Sequence, residues 1–237
     1  MDKKTVDHLM KIVREGYDRI APEFDADRQK PIWPPLARFC AEIDDTLKRP
    51  KVLDVGCGNG RLYRLFQDRN IDYLGADNCA ALIDLATRRH GRHFVTQDIL
   101  QLNRLPDINF DYALAIALLH HLPGFALRLE AIKQLKSKVR AGGLIMITVW
   151  NMWSQIKYRR LILKYWLLKI MKKNNMDFGD ILFDWQAADG RRAAQRYYHA
   201  FTKRQLSRLA KQADLTIKEC YRDKYNYYLL LKKPLNS

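Results

Sequence analysis

Three acidic residues close three short apolar runs, and a glycine-rich loop follows the first. Lys51-Val52-Leu53-Asp54-Val55 runs into Gly56-Cys57-Gly58-Asn59-Gly60, Asp77 closes the run from Ile71 to Ala76, and Asp98 follows His93-Phe94-Val95. Any one of these acids alone can be a helix N-cap. Three in succession, with the loop, read as a ligand site at the carboxyl ends of parallel strands. Gly56, Gly58 and Gly60 allow close backbone approach to a ligand. A dinucleotide fingerprint needs a glycine five residues after the first, and that position is Arg61. Asp54 would also repel a pyrophosphate, whereas the cationic amino-acid end of S-adenosylmethionine (SAM) suits it. On this reading Asp54, Gly56, Cys57, Gly58, Asn59 and Gly60 hold the amino-acid end. Asp77 and Asn78 take the ribose hydroxyls, while Asp98 and Ile99 meet the adenine.

The elements that must position these residues follow from hydrophobic period. Leu9, Ile12, Val13, Tyr17 and Ile20 recur at helical spacing, and that pattern is expected to end at Pro22. A second helix is expected through Leu36, Phe39 and Ile43, which makes residues 1–48 an N-terminal helical region. Strands are expected at 51–55, 71–76, 93–95, 110–116 and 144–149, the last after a turn at Gly142-Gly143. Helices are expected from Leu62, from Ala80 to Arg88 and from Phe125 to Val139. Thr202 is a candidate N-cap, and two more strands are expected at 216–221 and 226–232. Strands alternating with helices at these lengths imply a parallel sheet with crossover helices in one domain spanning 1–237.

Residues 151–195 break the alternation. From Asn151 to Lys173 apolar residues mingle with Lys157, Arg159, Arg160, Lys164, Lys169, Lys172 and Lys173, without an acid. The segment reads as a basic helical insertion after the fifth strand, on the substrate side. The formal net charge of the chain is +16, which favours polyanionic partners: nucleic acid first, an anionic membrane surface as the rival. Arg88, Arg89, Arg92 and the 157–173 segment are the cations expected to track phosphates. The apolar residues of the insertion do not read as one clean stripe. Four scattered cysteines, Cys40, Cys57, Cys79 and Cys220, give neither zinc spacing nor a disulfide framework. No apolar run is long enough to span a bilayer, and the start of the chain lacks a secretory core. A reduced, cytoplasmic setting without stable membrane insertion is expected.

Val52 to Gly60 resembles the first motif of the class I SAM methyltransferases. That resemblance implies a Rossmann-like α/β fold, a seven-stranded mostly parallel sheet flanked by helices, and SAM as methyl donor leaving S-adenosylhomocysteine. A narrower resemblance covers nearly the whole chain outside the insertion. Tyr17-Asp18-Arg19-Ile20-Ala21-Pro22-Glu23-Phe24-Asp25 with Arg28 is similar to the N-terminal motif of the eukaryotic wobble-uridine tRNA carboxymethyluridine methyltransferases. Trp33-Pro34, Ala115 to Leu122, Val149-Trp150 and, most diagnostically, Arg196-Tyr197-Tyr198-His199-Ala200-Phe201 match further blocks of that family. The chain departs from it in its short basic insertion, in Asp180-Ile181-Leu182-Phe183-Asp184-Trp185, and in Asn226-Tyr227-Tyr228.

The resemblance implies esterification of the carboxylate of 5-carboxymethyluridine at position 34 in a tRNA anticodon loop. A small zinc-binding activator subunit works with eukaryotic relatives. Arg28, Arg196 and His199 are then expected to position the substrate acid, with Tyr197 and Tyr198 as walls. His120 and Trp150 are expected to line the pocket, with His121 a further candidate, although one of the two adjacent histidines is expected to be structural. Tyr17 is expected at the methionine end of SAM, with Ala115 and Ile116 beside it. Each has a plainer alternative: Arg28 paired with Asp25 or Glu23, Trp150, Tyr197 and Tyr198 as core, the insertion's lysines as a solvated face. Three other readings fit the same residues: methylation of a small-molecule acid or other small metabolite, non-catalytic RNA binding, and peripheral membrane attachment through Leu161 to Ile170.

Overall fold

The computed structural model describes residues 1–41, 43, 49–106, 109–186 and 192–235. Nine strands and six α-helices are assigned in it. They are β1 (Lys51–Val55), β2 (Asp72–Asp77), β3 (Phe94–Thr96), β4 (Phe110–Ile116), β5 (Val139–Trp150), β6 (Asp180–Gln186), β7 (Arg192–His199), β8 (Thr216–Arg222) and β9 (Asn226–Lys232). The helices are α1 (Lys3–Asp27), α2 (Pro34–Ala41), α3 (Ala80–His90), α4 (Phe125–Lys138), α5 (Ile156–Ile170) and α6 (Lys203–Gln212).

The main sheet has seven strands in the order β3-β2-β1-β4-β5-β9-β8. Pairing is parallel from β3 to β5, and β9 runs antiparallel to both its neighbours. The expected seven-stranded, mostly parallel sheet is therefore present. Chain order reverses between β1 and β4, and such a switch point opens a crevice beyond the carboxyl ends of the strands.

Strand alternation fills both faces of the sheet. Leu53, Val55, Ala113, Ile145 and Leu229 face Ile132 and Leu135 of α4 and Leu206 and Leu209 of α6. Val52, Leu114, Met146, Tyr228 and Leu230 face Leu36 and Phe39 of α2 and Ile83 and Ala86 of α3. Period-2 apolar strands buried on both sides are what a helix-covered parallel sheet requires. Thr202 caps α6 in a full capping box with Gln205, as its position predicts.

Four boundaries differ from the sequence reading. Helix α1 continues through Pro22 to Asp27; proline costs one backbone bond but does not stop a helix held by tertiary contacts. After Gly60 the expected helix is a 3-10 turn over Arg61–Leu65. Strand β5 starts at Val139, because a bulge lets Phe110 pair with Val139 across the Gly142-Gly143 kink. Beyond α5, the segment 151–195 adds an antiparallel hairpin, β6 with β7, in a sheet of its own. The parts of the expected N-terminal and insertion segments at 42, 44–48 and 187–191 lie outside the described residues. The hairpin closes against α1, where a Cβ on Gly16 would sit 3.2 Å from the Gln195 carbonyl. Leu9 of α1 packs there with Tyr197 and Met176.

Candidate active site

Strands β1, β2 and β4 end at a cleft of about 710 Å³, roofed by α1 and bordered by the turn after β4 and the end of β5. At the floor, Asp54 is buried and accepts the Tyr73 hydroxyl at 2.6 Å. Burial pushes its carboxyl up to about 7, the Tyr73 bond opposes that, and nearby Asp77 adds to it. Asp77 accepts the Gly58 N–H and the Cys79 N–H, each at 2.9 Å. It thus holds the glycine loop against the start of α3. Burial raises its carboxyl above the usual range as well. Asp98 caps the turn after β3 through the Leu100 N–H at 2.8 Å, and Arg14 reaches its other oxygen at 4.0 Å.

The loop itself is built for close approach. Gly56 and Gly58 have φ of 75° and 56°, the left-handed region that favours glycine. A Cβ on Gly56 would lie 2.9 Å from Leu118, while Gly58 opens to the cleft opposite Phe24. Gly60 does a different job from the one expected. Its missing Cβ makes room for Phe94, 2.8 Å away, so it packs the loop on the core and does not line the cleft. Asn59 lines the cleft but spends its amide on Asp25 at 2.7 Å. Arg89 grips the same carboxylate with two bonds of 2.8 Å. That latch joins α1, the loop and α3. It removes Arg89 from the expected phosphate-tracking cations and Asp25 from pairing with Arg28.

Asp54, Gly56, Cys57, Gly58, Asn59, Asp77, Asn78, Asp98, Ile99, Ile116 and Tyr17 all border the cleft. Ala115 does not: it is fully buried in the core of the sheet. Among the described residues neither Asp54 nor Asp77 has a lysine or arginine partner. Two carboxylates shut away with only neutral donors suit a ligand that brings a cationic amine and hydroxyls. This donor set fits SAM.

The other half of the cleft is aromatic. Tyr198 is its hub, with ring centroids at 4.6 Å from both His120 and His121, 4.9 Å from Trp150 and 5.0 Å from Phe183. Both histidines border the cleft, contrary to the expectation that only one would. They sit on a 3-10 turn, Leu119–His121, where successive side chains diverge by about a third of a turn and not by half. Tyr17 and His121 share a hydrogen bond of 2.9 Å between the hydroxyl and Nε2. Burial lowers His121 to about 3 and also takes His120 well below its usual value, so both rings are neutral at pH 7. His120 Nδ1 is buried without a partner.

The Arg196-Tyr197-Tyr198-His199 block divides by strand parity. Tyr198 faces the cleft, and Arg196 on the same face donates to the Tyr198 hydroxyl at 3.2 Å. The Arg196 guanidinium lies 5.7 Å above the Tyr17 ring and 5.2 Å from Trp185. It is 8% exposed, with Nε unpartnered and no acid paired to it among the described residues. Tyr197 and His199 point the other way. The Tyr197 hydroxyl reaches Asp180 at 2.8 Å, His199 Nδ1 reaches it at 2.6 Å, and Arg128 joins them at 3.3 Å. These two residues therefore leave the expected substrate set, since consecutive strand residues cannot share one cavity. Arg28 borders the cleft over the Phe24 ring at 5.0 Å.

Sequence reasoning missed Asp180 and Arg128, which anchor the far side of the hairpin, and Tyr158, Gln155 and Asp223, which border the cleft. Asp180 carried a signal, an acid directly before the apolar run Ile181-Leu182-Phe183. Among the described residues no group of three metal-ligating side chains occurs, the four cysteines are free, and no helix is long and apolar enough to cross a membrane.

A family model described as a methyltransferase domain matches residues 24–219. A Schizosaccharomyces pombe protein named tRNA (carboxymethyluridine(34)-5-O)-methyltransferase is 28% identical over 235 residues, covering 96% of this chain and 99% of that protein. An Arabidopsis thaliana protein of the same name is 33% identical over 148 residues, 62% of this chain and 35% of its own length. Among solved structures, a SAM-dependent methyltransferase from Methanosarcina mazei superposes with a TM-score of 0.68 at 17% identity, covering 87% of this chain and all of that one.

Proposed function

The chain belongs to the methyltransferase-domain family, and from that premise we propose that it methylates the carboxylate of 5-carboxymethyluridine at position 34 of tRNA. One observation carries the reading. Arg196, 8% exposed and without an ion pair among the described residues, stands just behind the lining: it donates to the hydroxyl of Tyr198 and lies over the Tyr17 ring, and both of those side chains border the cleft. The Arg196 Nε has no hydrogen-bond partner, so an anion that reached the guanidinium would gain a charge-assisted bond. Bound SAM supplies an electrophilic methyl carbon. Everything else is positioning by this chain's own residues.

Asp54 and Asp77 would hold the amine and hydroxyls of SAM, and the glycine loop, which lacks side chains there, would let it approach the backbone. A carboxylate substrate is ionised at pH 7 and needs no general base. This agrees with two neutral histidines, neither poised to take a proton at that pH. Arg28 orients the acid from the cleft wall and Arg196 acts from behind it through the Tyr198 hydroxyl, the unpartnered His120 Nδ1 offers a hydrogen bond, and Tyr198 and Trp150 give a base a face to stack on. Holding nucleophile and methyl in line in a site closed to water is the main catalytic requirement.

The tRNA anticodon loop is the partner on this reading, and its cytoplasmic pool sets where the protein works. The net charge of +16 raises local tRNA concentration. The test is transfer from labelled SAM to bulk tRNA, with and without a zinc-binding activator subunit, followed by identification of the nucleoside. A methyl ester at uridine-34 is expected. Label passing only to small acids, or to none, overturns the proposal.

A further inference from the structure

Helix α5 is apolar on two opposite sides. Its inner side places buried Ile162, with Leu161, Tyr158 and Tyr165, against Ile181 and Tyr198. On the outer side Ile156, Leu163, Leu167 and Ile170 are 61%, 54%, 47% and 60% exposed. At 3.6 residues per turn these four fall within a stripe about 60° wide. The clean stripe that the bare sequence hides becomes visible once the inward residues are subtracted. Trp166, 40% exposed, borders it. Arg159 flanks one side and Arg160 and Lys164 the other, all exposed. No acidic residue occurs between Asn151 and Met176.

A helix apolar all round is ordinarily covered, and the flanking charge selects the cover. A second copy of this chain would bring the same cations into register against these. RNA satisfies the cations but offers nothing to four branched aliphatic side chains. An anionic lipid surface satisfies both: the apolar stripe sinks to the acyl boundary, the cations lie among the phosphates, and tryptophan sits between. We propose that the outer face of α5 docks the protein reversibly on an anionic lipid surface. The contact is peripheral, since no described helix can cross a bilayer.

The test is vesicle flotation, comparing phosphatidylcholine vesicles containing phosphatidylserine with pure phosphatidylcholine. The wild type and a Leu163→Ser/Ile170→Ser variant, which keeps every cation, are compared. The wild type is expected to float with the anionic vesicles only, less as salt rises. The variant is expected to lose about ten-fold or more of that partitioning, with unchanged thermal unfolding and tRNA affinity. Should the double variant unfold, Ile170→Ser alone carries the comparison. Three results overturn the proposal: no flotation of the wild type, equal flotation of the variant, or a parallel loss of tRNA affinity, which makes the stripe part of an RNA surface. A wild-type dimer that the variant dissociates overturns it too.

Discussion

Tyr73 donates its hydroxyl to Asp54 at 2.6 Å, and both side chains are buried. The pair joins the two strands that carry the glycine loop and the second acid. An anion held this way is uncomfortable: its carboxyl is pushed up to about 7 from an ordinary 3.8. A folded-state value above the unfolded one means the native chain binds the extra proton between those limits. Asp54 therefore costs stability as pH rises through that window, and the cost is complete above about 7.

Asp54→Asn removes that pH-dependent cost. Its stability relative to the wild type is expected to improve by roughly 2–4 kcal/mol between about pH 4.5 and pH 8, read as the change in the difference of chemical-denaturation midpoints. The same variant is expected to bind SAM at least ten-fold more weakly, because the cationic end loses its counter-charge. A pH-independent difference in stability removes Asp54 from the role assigned here.

Asp77 has two tasks in one carboxylate, since the oxygens that face the cleft already hold the Gly58 and Cys79 N–H groups. Asp77→Ala loses the ligand contacts and the brace on the loop together. Two or more hydrogen bonds to a charged acceptor, at about 1.5–3 kcal/mol each, imply a loss of SAM affinity above about 100-fold by calorimetry. Retention of affinity within about three-fold would show that the loop and not the acid makes the site.

The cofactor half of the cleft was legible in the sequence because its signals are local. An acid at a strand end and glycines just after it stand within one turn of chain, and the strands repeat the arrangement. The substrate half is assembled from α1, the turn after β4, β5 and β7, and only a resemblance brought those segments together. Even so it mis-assigned Tyr197 and His199, because the β6–β7 hairpin was not recognised and strand parity could not be applied. Gly60 and Ala115 were misread for a simpler reason: membership of a motif does not say whether a residue faces ligand or core. The outer stripe of α5 was invisible while its inward apolar residues blurred the period.

Arg196→Ala tests the substrate half while leaving Asp54, Asp77 and the glycine loop in place. The guanidinium bonds only Tyr198 among the described residues and lies beside the Tyr17 ring. SAM affinity is expected to stay within about three-fold, while kcat/KM for tRNA falls by roughly 10- to 100-fold, the worth of one charge-assisted interaction. Arg196→Lys is expected to recover little, since it cannot reproduce a planar guanidinium set between two aromatic rings. Undiminished turnover in Arg196→Ala would take the residue out of the site.

Neighbouring tyrosines give the sharpest test of the hairpin's parity. Tyr197 spends its hydroxyl on Asp180, which also holds His199 and Arg128 behind the cleft. Tyr197→Phe is therefore expected to cost about 1–2 kcal/mol of stability and to leave turnover near wild type. Removing Asp180 itself strands Arg128 in the interior, so Asp180→Ala is expected to cost about 3–5 kcal/mol. Tyr198 is the opposite case, a ring packed between two histidines and Trp150 inside the chamber. Tyr198→Ala is expected to collapse turnover through lost stacking and a widened pocket, and Tyr198→Phe to recover most of it. Paired denaturation and single-turnover measurements separate the two faces. If Tyr197→Phe harms turnover more than Tyr198→Phe, the hairpin presents its other side to the substrate and the chamber described here is not where methyl transfer occurs.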